Sequence, residues 1–246
     1  MEYISYVIAS VLAMVLGQIT AHLCKKLPPW VEDKIKFKDF ILSLKKDFKA
    51  DYIYTVIYLV LFNLLIKLVG QSGISYIYML CIFSLTIVFN IDYRYQLIPD
   101  ECHYIIALCG SISLIFNINT WMSCLLGAIV GGGSFYLLGL LAIVIYKKEG
   151  MGFGDVKLMA ALGFLFGLKN ILVITILSFT LGAIISIVLI ILKVKKIDSY
   201  IPFGPFIVMG TLLVIFFKSD IFIEGYFTFC SWLGTSMTDI IFKIIN

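Results

Sequence analysis

The sequence predicts an all-α protein that crosses a membrane several times. Of its 246 residues, 61% are hydrophobic and 14% are charged, whereas a soluble domain is about half apolar and about a quarter charged. The apolar residues fall in long runs, and the basic residues collect in alternate connections between those runs. A single core in a chain of this size cannot bury so much apolar surface, so much of it is expected to face lipid.

Each predicted span is an apolar run that approaches the length needed to cross the hydrocarbon, about 20 residues in a helix. The runs are, in chain order, Tyr3–Leu23, Tyr52–Val69, Ile74–Ile91, Cys102–Ile118, Trp121–Tyr146, Val156–Leu168, Asn170–Leu192 and Phe203–Phe217. The first run lacks the basic flank and cleavage site of a signal peptide, so we expect it to stay as a span. The fold class predicted is therefore a polytopic integral membrane protein with about eight transmembrane helices.

The distribution of basic residues predicts the orientation of the spans, because cytoplasmic loops are enriched in Lys and Arg. Eight of the nineteen basic residues lie between Lys25 and Lys49, so the first loop is expected inside and the N-terminus outside. Alternation then places the loops around Arg94, Lys147 and Lys193 inside as well. These loops explain the net charge of +4, and no nucleic-acid partner is expected.

The predicted spans divide the chain into five parts. Residues 1–23 form the first transmembrane helix, residues 24–51 a Lys-rich cytoplasmic loop, and residues 52–91 the second and third transmembrane helices. Residues 92–217 hold the acidic motifs described below, and residues 218–246 form a C-terminal extension that we predict to be an interfacial helix. The lysines of the first loop are expected to lie on anionic headgroups, which makes membrane lipid a predicted partner.

Cysteine and histidine spacing does not favour a metal site or a disulfide framework. The six cysteines include no C-x-x-C pair, and most of them lie inside apolar runs. The two histidines, His22 and His103, are far apart in the chain. No metal ion is therefore expected.

Closely spaced glycines occur in the fifth predicted span. Gly127, Gly131, Gly132 and Gly133 have the small-xxx-small spacing that lets two membrane helices approach each other closely. We interpret this stretch as a helix-packing face and not as a phosphate-binding loop.

Two acidic clusters stand at the ends of predicted spans, and ionisable residues at such positions indicate function because they are costly near lipid. One runs from Asp92 to Glu101, directly after the third span, and the other from Glu149 to Lys157, directly before the sixth. The orientation places both at the cytoplasmic edge. Two carboxylates from different helices, here Asp92 and Asp155, can share one proton, so that one activates water while the other protonates a scissile carbonyl group.

The residues around these acids leave more than one interpretation open. Gly152 and Gly154 would let an extended substrate approach the backbone closely. Asp100 and Asp155 also suit helix N-caps, which would be a structural role. An ion-coupled transporter could use the same acids, although such proteins are expected to have internal repeats and acids near the middle of the membrane.

Three ordered segments resemble the type IV prepilin peptidases, over about half of the chain. The segment Glu149–Gly163 resembles the G-x-G-D segment of that family, and Asp92–Asp100 is similar to its D-x-x-x-x-x-[LI]-P-D segment. The segment Ile201–Phe206, followed by Gly210, resembles the I-P-F-G-P segment that opens the last core helix. The three motifs lie in the family's order on a matching pattern of spans.

The resemblance implies a membrane aspartyl endopeptidase whose peptidase core is residues 92–217. Such an enzyme removes the short basic leader of type IV prepilins and pilin-like proteins at the cytoplasmic face of the inner membrane. Asp92 and Asp155 match the family's catalytic pair, and proteolysis by such a pair is expected to need no cofactor. The residues expected to contact the substrate are Asp100, Glu101, Glu149, Gly152, Gly154 and Lys157.

The N-terminal part departs from the family pattern. Gln18 and Ala21 stand where many members have serine and asparagine, and residues 24–51 lack the two C-x-x-C pairs that bind zinc in many members. Many members also methylate the new N-terminus with S-adenosylmethionine. The departures fall in the part linked to that activity, so the resemblance implies proteolysis and leaves methylation, with S-adenosylmethionine as its cofactor, open.

Overall fold

The computed structural model describes residues 2–32, 52–147, 152–193 and 201–245, and all regular secondary structure in these ranges is helical. The prediction of an all-α fold is confirmed. The elements are α1 (Glu2–Glu32), α2 (Tyr52–Val69), α3 (Gly73–Tyr95), α4 (Asp100–Phe116), a 3₁₀ turn (Ile118–Thr120), α5 (Trp121–Tyr146), α6 (Phe153–Ile191) and α7 (Gly204–Ile245).

Five helices in the described part of the chain are long and apolar enough to cross a membrane, which confirms a polytopic membrane protein. They cover Tyr3–Cys24, Tyr52–Val69, Gly73–Tyr95, Ile118–Ile145 and Phe153–Ile191. A sixth is added if Gly204–Phe217 and Ser219–Gly225, bent by 99°, form one span. The count is below the predicted eight because α4 has only 17 residues and because α6, which holds two predicted spans on either side of a break at Gly167, is counted as one helix.

Helix α6 reverses direction at Gly167, whose backbone is not helical (φ 77°, ψ 174°). A Cβ built on Gly131 of α5 would lie 2.6 Å from the Met159 carbonyl oxygen and 2.9 Å from Ile171 Cγ1. Met159 and Ile171 are twelve residues apart, or about 18 Å along a straight helix. Both can therefore reach one glycine only if the two halves of α6 lie side by side.

The break at Gly167 exposes the backbone of the second half, and α5 provides a partner for it. The Leu168 N–H donates to Ser123 Oγ at 3.1 Å. A side chain in place of Gly167 would also meet Ser123, since a Cβ there would lie 2.7 Å from the same oxygen. The serine thus occupies the place that an N-cap residue takes at an ordinary helix start.

The predicted glycine face of α5 packs against α6, which confirms the packing interpretation. A Cβ on Gly127 would lie 2.4 Å from the Gly163 carbonyl oxygen, and one on Gly132 would lie 2.9 Å from Ala160 Cβ. Any side chain at these two positions would push the helices apart. A Cβ on Gly133, by contrast, would meet nothing within 4 Å. Gly127 and Gly132 therefore make the close contact with α6, and Gly133 does not.

Helix α3 lies at the centre of the bundle, where it contacts α1, α2, α4 and α7. In its most apolar stretch 61% of the residues are buried, against 28% for α2. Lipid is as apolar as these side chains, so tight packing holds such helices together more than apolar burial does. Helices α4 and α7 also contact α6, and these shared neighbours bring the end of α3 towards the start of α6.

Two predicted segments differ from the structure or fall partly outside it. Helix α1 continues past its predicted end at Leu23 as far as Glu32, because a helix can extend beyond the hydrocarbon into the polar interface. Most of the predicted Lys-rich loop, residues 33–51, lies outside the described residues. The predicted C-terminal extension is helical through Ile245 as part of α7, and its place at the interface stays a prediction.

Candidate active site

Asp92 lies in the last turn of α3, and its side chain is only 5% exposed. The helix ends because Gln96 adopts the left-handed conformation (φ 57°), and the Gln96 N–H donates to the Asp92 carbonyl oxygen at 2.9 Å. Pro99 then disfavours a continuing helix. The local sequence therefore ends α3 just after the aspartate and leaves the carboxyl group at one end of an apolar span.

Asp155 lies in the first turn of α6 and is 4% exposed. Gly152 is the N-cap, and its carbonyl oxygen accepts the Asp155 N–H at 3.1 Å. The intervening Gly154 packs on the loop that follows α3, because a Cβ there would lie 3.1 Å from Ile98 Cβ. Glycine at position 154 thus lets the start of α6 approach the segment that follows Asp92.

The structure brings the two predicted catalytic aspartates together. The Asp92 carboxyl is near enough to Asp155 for their charges to interact, and both side chains are almost fully buried. Two buried carboxyl groups this close cannot both ionise without a large cost, so such a pair retains a proton. A pair of this kind can accept a proton on one carboxyl while the other donates one.

The start of α7 contacts Asp92 as well. The Gly204 N–H donates to Asp92 Oδ2 at 2.9 Å, and a Cβ at position 204 would lie 2.5 Å from that oxygen. Only glycine therefore allows the approach. The motif Ile201–Phe206 drew attention to this segment, but no feature of the sequence showed that its backbone would donate to an aspartate 112 residues earlier.

Aromatic packing fixes Phe203, the residue before Gly204. Its ring centroid lies 5.0 Å from that of Phe179, 5.7 Å from Phe135 and 5.9 Å from Phe206. Phe135 belongs to α5 and Phe179 to the second half of α6, so three helices meet at this ring. Aromatic pairs of this kind contribute about 0.5–1.5 kcal/mol each beyond their burial, which anchors the backbone that reaches Asp92.

Asp100 and Lys157, two of the predicted substrate contacts, pair with each other. Lys157 Nζ donates to Asp100 Oδ1 at 2.8 Å and lies 5.4 Å from the centroid of the Phe153 ring. The hydrogen bond from Lys157 lowers the pKa of the Asp100 carboxyl below its usual value. The buried His103 is next to this pair, with Nδ1 3.4 Å from Asp100 Oδ1. From the sequence, His103 was a candidate metal ligand only, and its position beside Asp100 was not predicted.

The other predicted contacts are spread around the dyad. Glu101 and Gly152 are exposed, whereas Gly154 is half-buried between α6 and the loop after α3. Glu149 lies outside the described residues. In the part of the chain that the structure describes, no group of three or more His, Cys, Asp or Glu residues is placed to hold a metal ion.

Comparison with known proteins gives one family. A sequence model described as the type IV leader peptidase family matches residues 78–187, which include both aspartates. A "Prepilin leader peptidase/N-methyltransferase" of Xanthomonas campestris pv. campestris is 34% identical over 161 residues, 65% of this chain and 55% of that protein. Proteins with the same name from Pseudomonas putida and Pseudomonas aeruginosa are 31% and 30% identical, over 54% and 53% of this chain and 46% of each protein.

The matched regions cover only part of each protein. The chain spans about half the length of the curated relatives it matches. No solved structure matches the chain.

Proposed function

We propose that this chain, which belongs to the type IV leader peptidase family, is a membrane-embedded aspartyl endopeptidase that removes the leader peptide of type IV prepilins and pilin-like proteins. The observation that supports it most is the meeting of Asp92 and Asp155, two buried carboxyl groups from different helices, inside the segment that the family shares.

The reaction follows from two carboxyl groups that share one proton. The ionised carboxyl takes a proton from water, which attacks the scissile carbonyl carbon, and the protonated carboxyl donates its proton to the carbonyl oxygen. Burial of both groups strengthens these electrostatic effects, because the surroundings have a low dielectric constant.

The proposed location is the cytoplasmic face of the inner membrane. Basic residues predominate on the side where Asp92 and Asp155 lie, and a basic leader would meet acids there, with Asp100, Glu101 and Glu149 as candidates. Reporters fused after Lys45, Arg94 or Lys148 should read cytoplasmic, and those after Ser72 or Asn119 external. A cytoplasmic reading at Ser72 would contradict this orientation.

An ion-coupled transporter was the alternative from the residues alone. A transporter is expected to bind ions near the middle of the membrane between repeated halves. Here Asp92 lies in the last turn of one span and Asp155 in the first turn of another, and the family match covers both. These observations favour the peptidase.

N-methyltransferase is the second activity in the relatives' printed names, and S-adenosylmethionine is the cofactor that the resemblance implies for it. Two pairs of polar side chains join α1 and α2 in the structure. Thr20 Oγ1 and the Tyr58 hydroxyl group lie 2.8 Å apart, and Gln18 Nε2 donates to Thr55 Oγ1 at 3.3 Å. Methylation stays open for this chain, and we derive no step through the cofactor.

One assay tests both activities. The purified full chain is incubated in lipid nanodiscs with a pilin-like precursor, and the products are followed by mass, with and without S-adenosylmethionine. Release of the leader is expected from the wild type. An uncleaved precursor, under conditions where the protein stays folded, would contradict the proposal. A product heavier by one methyl group would show that methylation is retained.

A further inference from the structure

The start of α7 has one backbone donor free for Asp92. The first N–H groups of a helix have no partner within it. Here Pro205 has no N–H, and the N–H groups of the two residues after it both donate to the Phe203 carbonyl oxygen, at 3.0 and 3.3 Å. The Gly204 N–H remains, and it donates to Asp92 Oδ2.

Each aspartate has one backbone donor, since the Gly152 backbone hydrogen-bonds to the Asp155 carboxyl group, and the difference lies in the second oxygen of Asp155. Its Oδ1 is buried and has no hydrogen-bond partner among the described residues. Its Oδ2 faces Gly152, where a Cβ would lie 3.4 Å away. A buried carboxylate oxygen without a hydrogen bond destabilises the ionised form, and a proton on Asp155 removes that charge.

The fields of the helix ends act in the opposite sense and are weaker. Asp92 lies in the last turn of α3, where an anion is disfavoured, and Asp155 lies in the first turn of α6, where it is favoured. A hydrogen bond to an ionised group stabilises it by more free energy than a helix end does. The free energy needed to bury a charge without a partner is also larger than the stabilisation from a helix end. The hydrogen bonds therefore decide which aspartate ionises.

We propose that the hydrogen bond from Gly204 to Asp92, together with the buried Oδ1 of Asp155 that has no partner among the described residues, makes the two aspartates unequal, so that Asp92 is the ionised member of the dyad and Asp155 carries the proton. Gly204 is then a positioning residue that acts through Asp92. The consequence for catalysis rests on the proposed peptidase function, whereas the order of ionisation does not.

With Asp92 ionised and Asp155 protonated, each carboxyl group has a separate role in peptide-bond hydrolysis. Asp92 takes a proton from water as the water oxygen bonds to the scissile carbon, and Asp155 donates its proton to the carbonyl oxygen, which yields a gem-diol. Asp92 then donates its proton to the amide nitrogen, and Asp155 takes a proton from one hydroxyl group as the C–N bond breaks. An acid and an amine leave, and both aspartates return to their starting states.

Infrared difference spectroscopy of the full chain in lipid nanodiscs tests which aspartate ionises at the lower pH. The spectra of the Asp92→Asn and Asp155→Asn proteins, each minus that of the double variant, isolate one carboxyl group at a time. We expect the band of the protonated acid to persist to a higher pH for Asp155 than for Asp92, because the buried Oδ1 of Asp155 has no partner among the described residues. Loss of both bands at the same pH, or persistence of the Asp92 band to the higher pH, overturns the proposal.

A second comparison tests the part of Gly204. In the Asp155→Asn protein, Gly204→Ala should move the loss of the Asp92 band to higher pH, because the added Cβ displaces the carboxyl from the N–H. In the Asp92→Asn protein the same change should leave the Asp155 band in place. Gly133→Ala is the matched control, since a Cβ there meets nothing. An unmoved Asp92 band, or a shift of both aspartates, would contradict the role of Gly204.

These spectra need no substrate, so they separate this proposal from the proposed function. If Gly204→Ala prevents folding, the comparison of the two single variants still decides the order. If Asp92 ionises at the lower pH but the protein cleaves no precursor, only the peptidase function is contradicted. If the protein cleaves but Asp155 ionises at the lower pH, only the assignment of the proton to Asp155 is contradicted.

Discussion

Two pairs of ionisable side chains meet near the start of α6, and they differ in charge and burial. Asp92 and Asp155 carry like charges and are at most 5% exposed, whereas the side chains of Asp100 and Lys157 carry opposite charges and are 54% and 41% exposed. An exposed opposite pair contributes about 0–1 kcal/mol, but a buried like pair is unfavourable unless it retains a proton. Burial thus separates the residues expected to do chemistry from a pair that ties α4 to α6.

The largest effect is expected from the buried pair. Asp92→Asn and Asp155→Asn should each lower leader cleavage by at least about 10³-fold, because each removes a proton-exchanging group and the two act as one unit. Cleavage is measured by product mass, with membrane insertion and expression followed in parallel. Gly133→Ala should cleave normally. Wild-type cleavage by either variant would remove that aspartate from the mechanism. The buried pair would then differ from the exposed pair of Asp100 and Lys157 in burial and charge but not in function.

A smaller effect is expected when Asp92 is displaced and not replaced. Gly204→Ala should lower the rate of cleavage by about 10²-fold, because small misplacements of reacting groups have effects of that size. Rates are compared at saturating precursor with those of Gly133→Ala. An unchanged rate would show that the contact between Gly204 and Asp92 does not matter for turnover.

The exposed acids should affect binding more than chemistry. Neutralising Glu101 or Glu149 should weaken binding of a basic leader several-fold, and added salt should reduce the difference, because exposed charges are screened. The comparison protein has three loop lysines, Lys34, Lys36 and Lys38, neutralised. The measurement is KM at several salt concentrations. If the lysine variant loses most processing while both acid variants cleave normally, the loop and not the acids meets the leader.

The smallest effect is expected from the exposed pair. Asp100→Asn or Lys157→Met should lower the free energy of unfolding by less than about 1 kcal/mol. Because Lys157 lowers the pKa of Asp100 in the folded protein, this contribution is present above the unfolded pKa and is lost as pH falls through the folded one. Thermal unfolding of the variants at neutral and acidic pH measures it. A loss of several kcal/mol would show that this pair behaves like a buried one.

Much of the fold could be predicted from the sequence, because lipid imposes simple rules, whereas the catalytic pair was predicted from the motifs that resemble the prepilin peptidases. Backbone groups in hydrocarbon must be paired within a helix, so long apolar runs such as Ile74–Ile91 become helices. The limits of α3 were close to prediction, since Pro99 and the polar residues before it mark the end. The G-x-G-D motif that ends at Asp155 predicted the second aspartate of the pair.

The reversal of α6 was harder to read from composition. Hydropathy showed two runs around Lys169, but the positive φ of Gly167 and the hydrogen bond from Leu168 to Ser123 are properties of a packed backbone. The same holds for the pair of Asp100 and Lys157, which are 57 residues apart. Such contacts depend on which helix faces which, and periodicity in a single chain carries little of that information.

The sequence by itself determined that this protein is a helical membrane protein and predicted which two aspartates act in catalysis, because both follow from local patterns. Only the tertiary structure decided that Asp92 receives a backbone hydrogen bond from Gly204, while one oxygen of Asp155 is buried without a partner among the described residues. The physical reason is that the charge a carboxyl group can hold depends on the donors and solvent around it. Those surroundings come from helices distant in sequence, which only the fold places together.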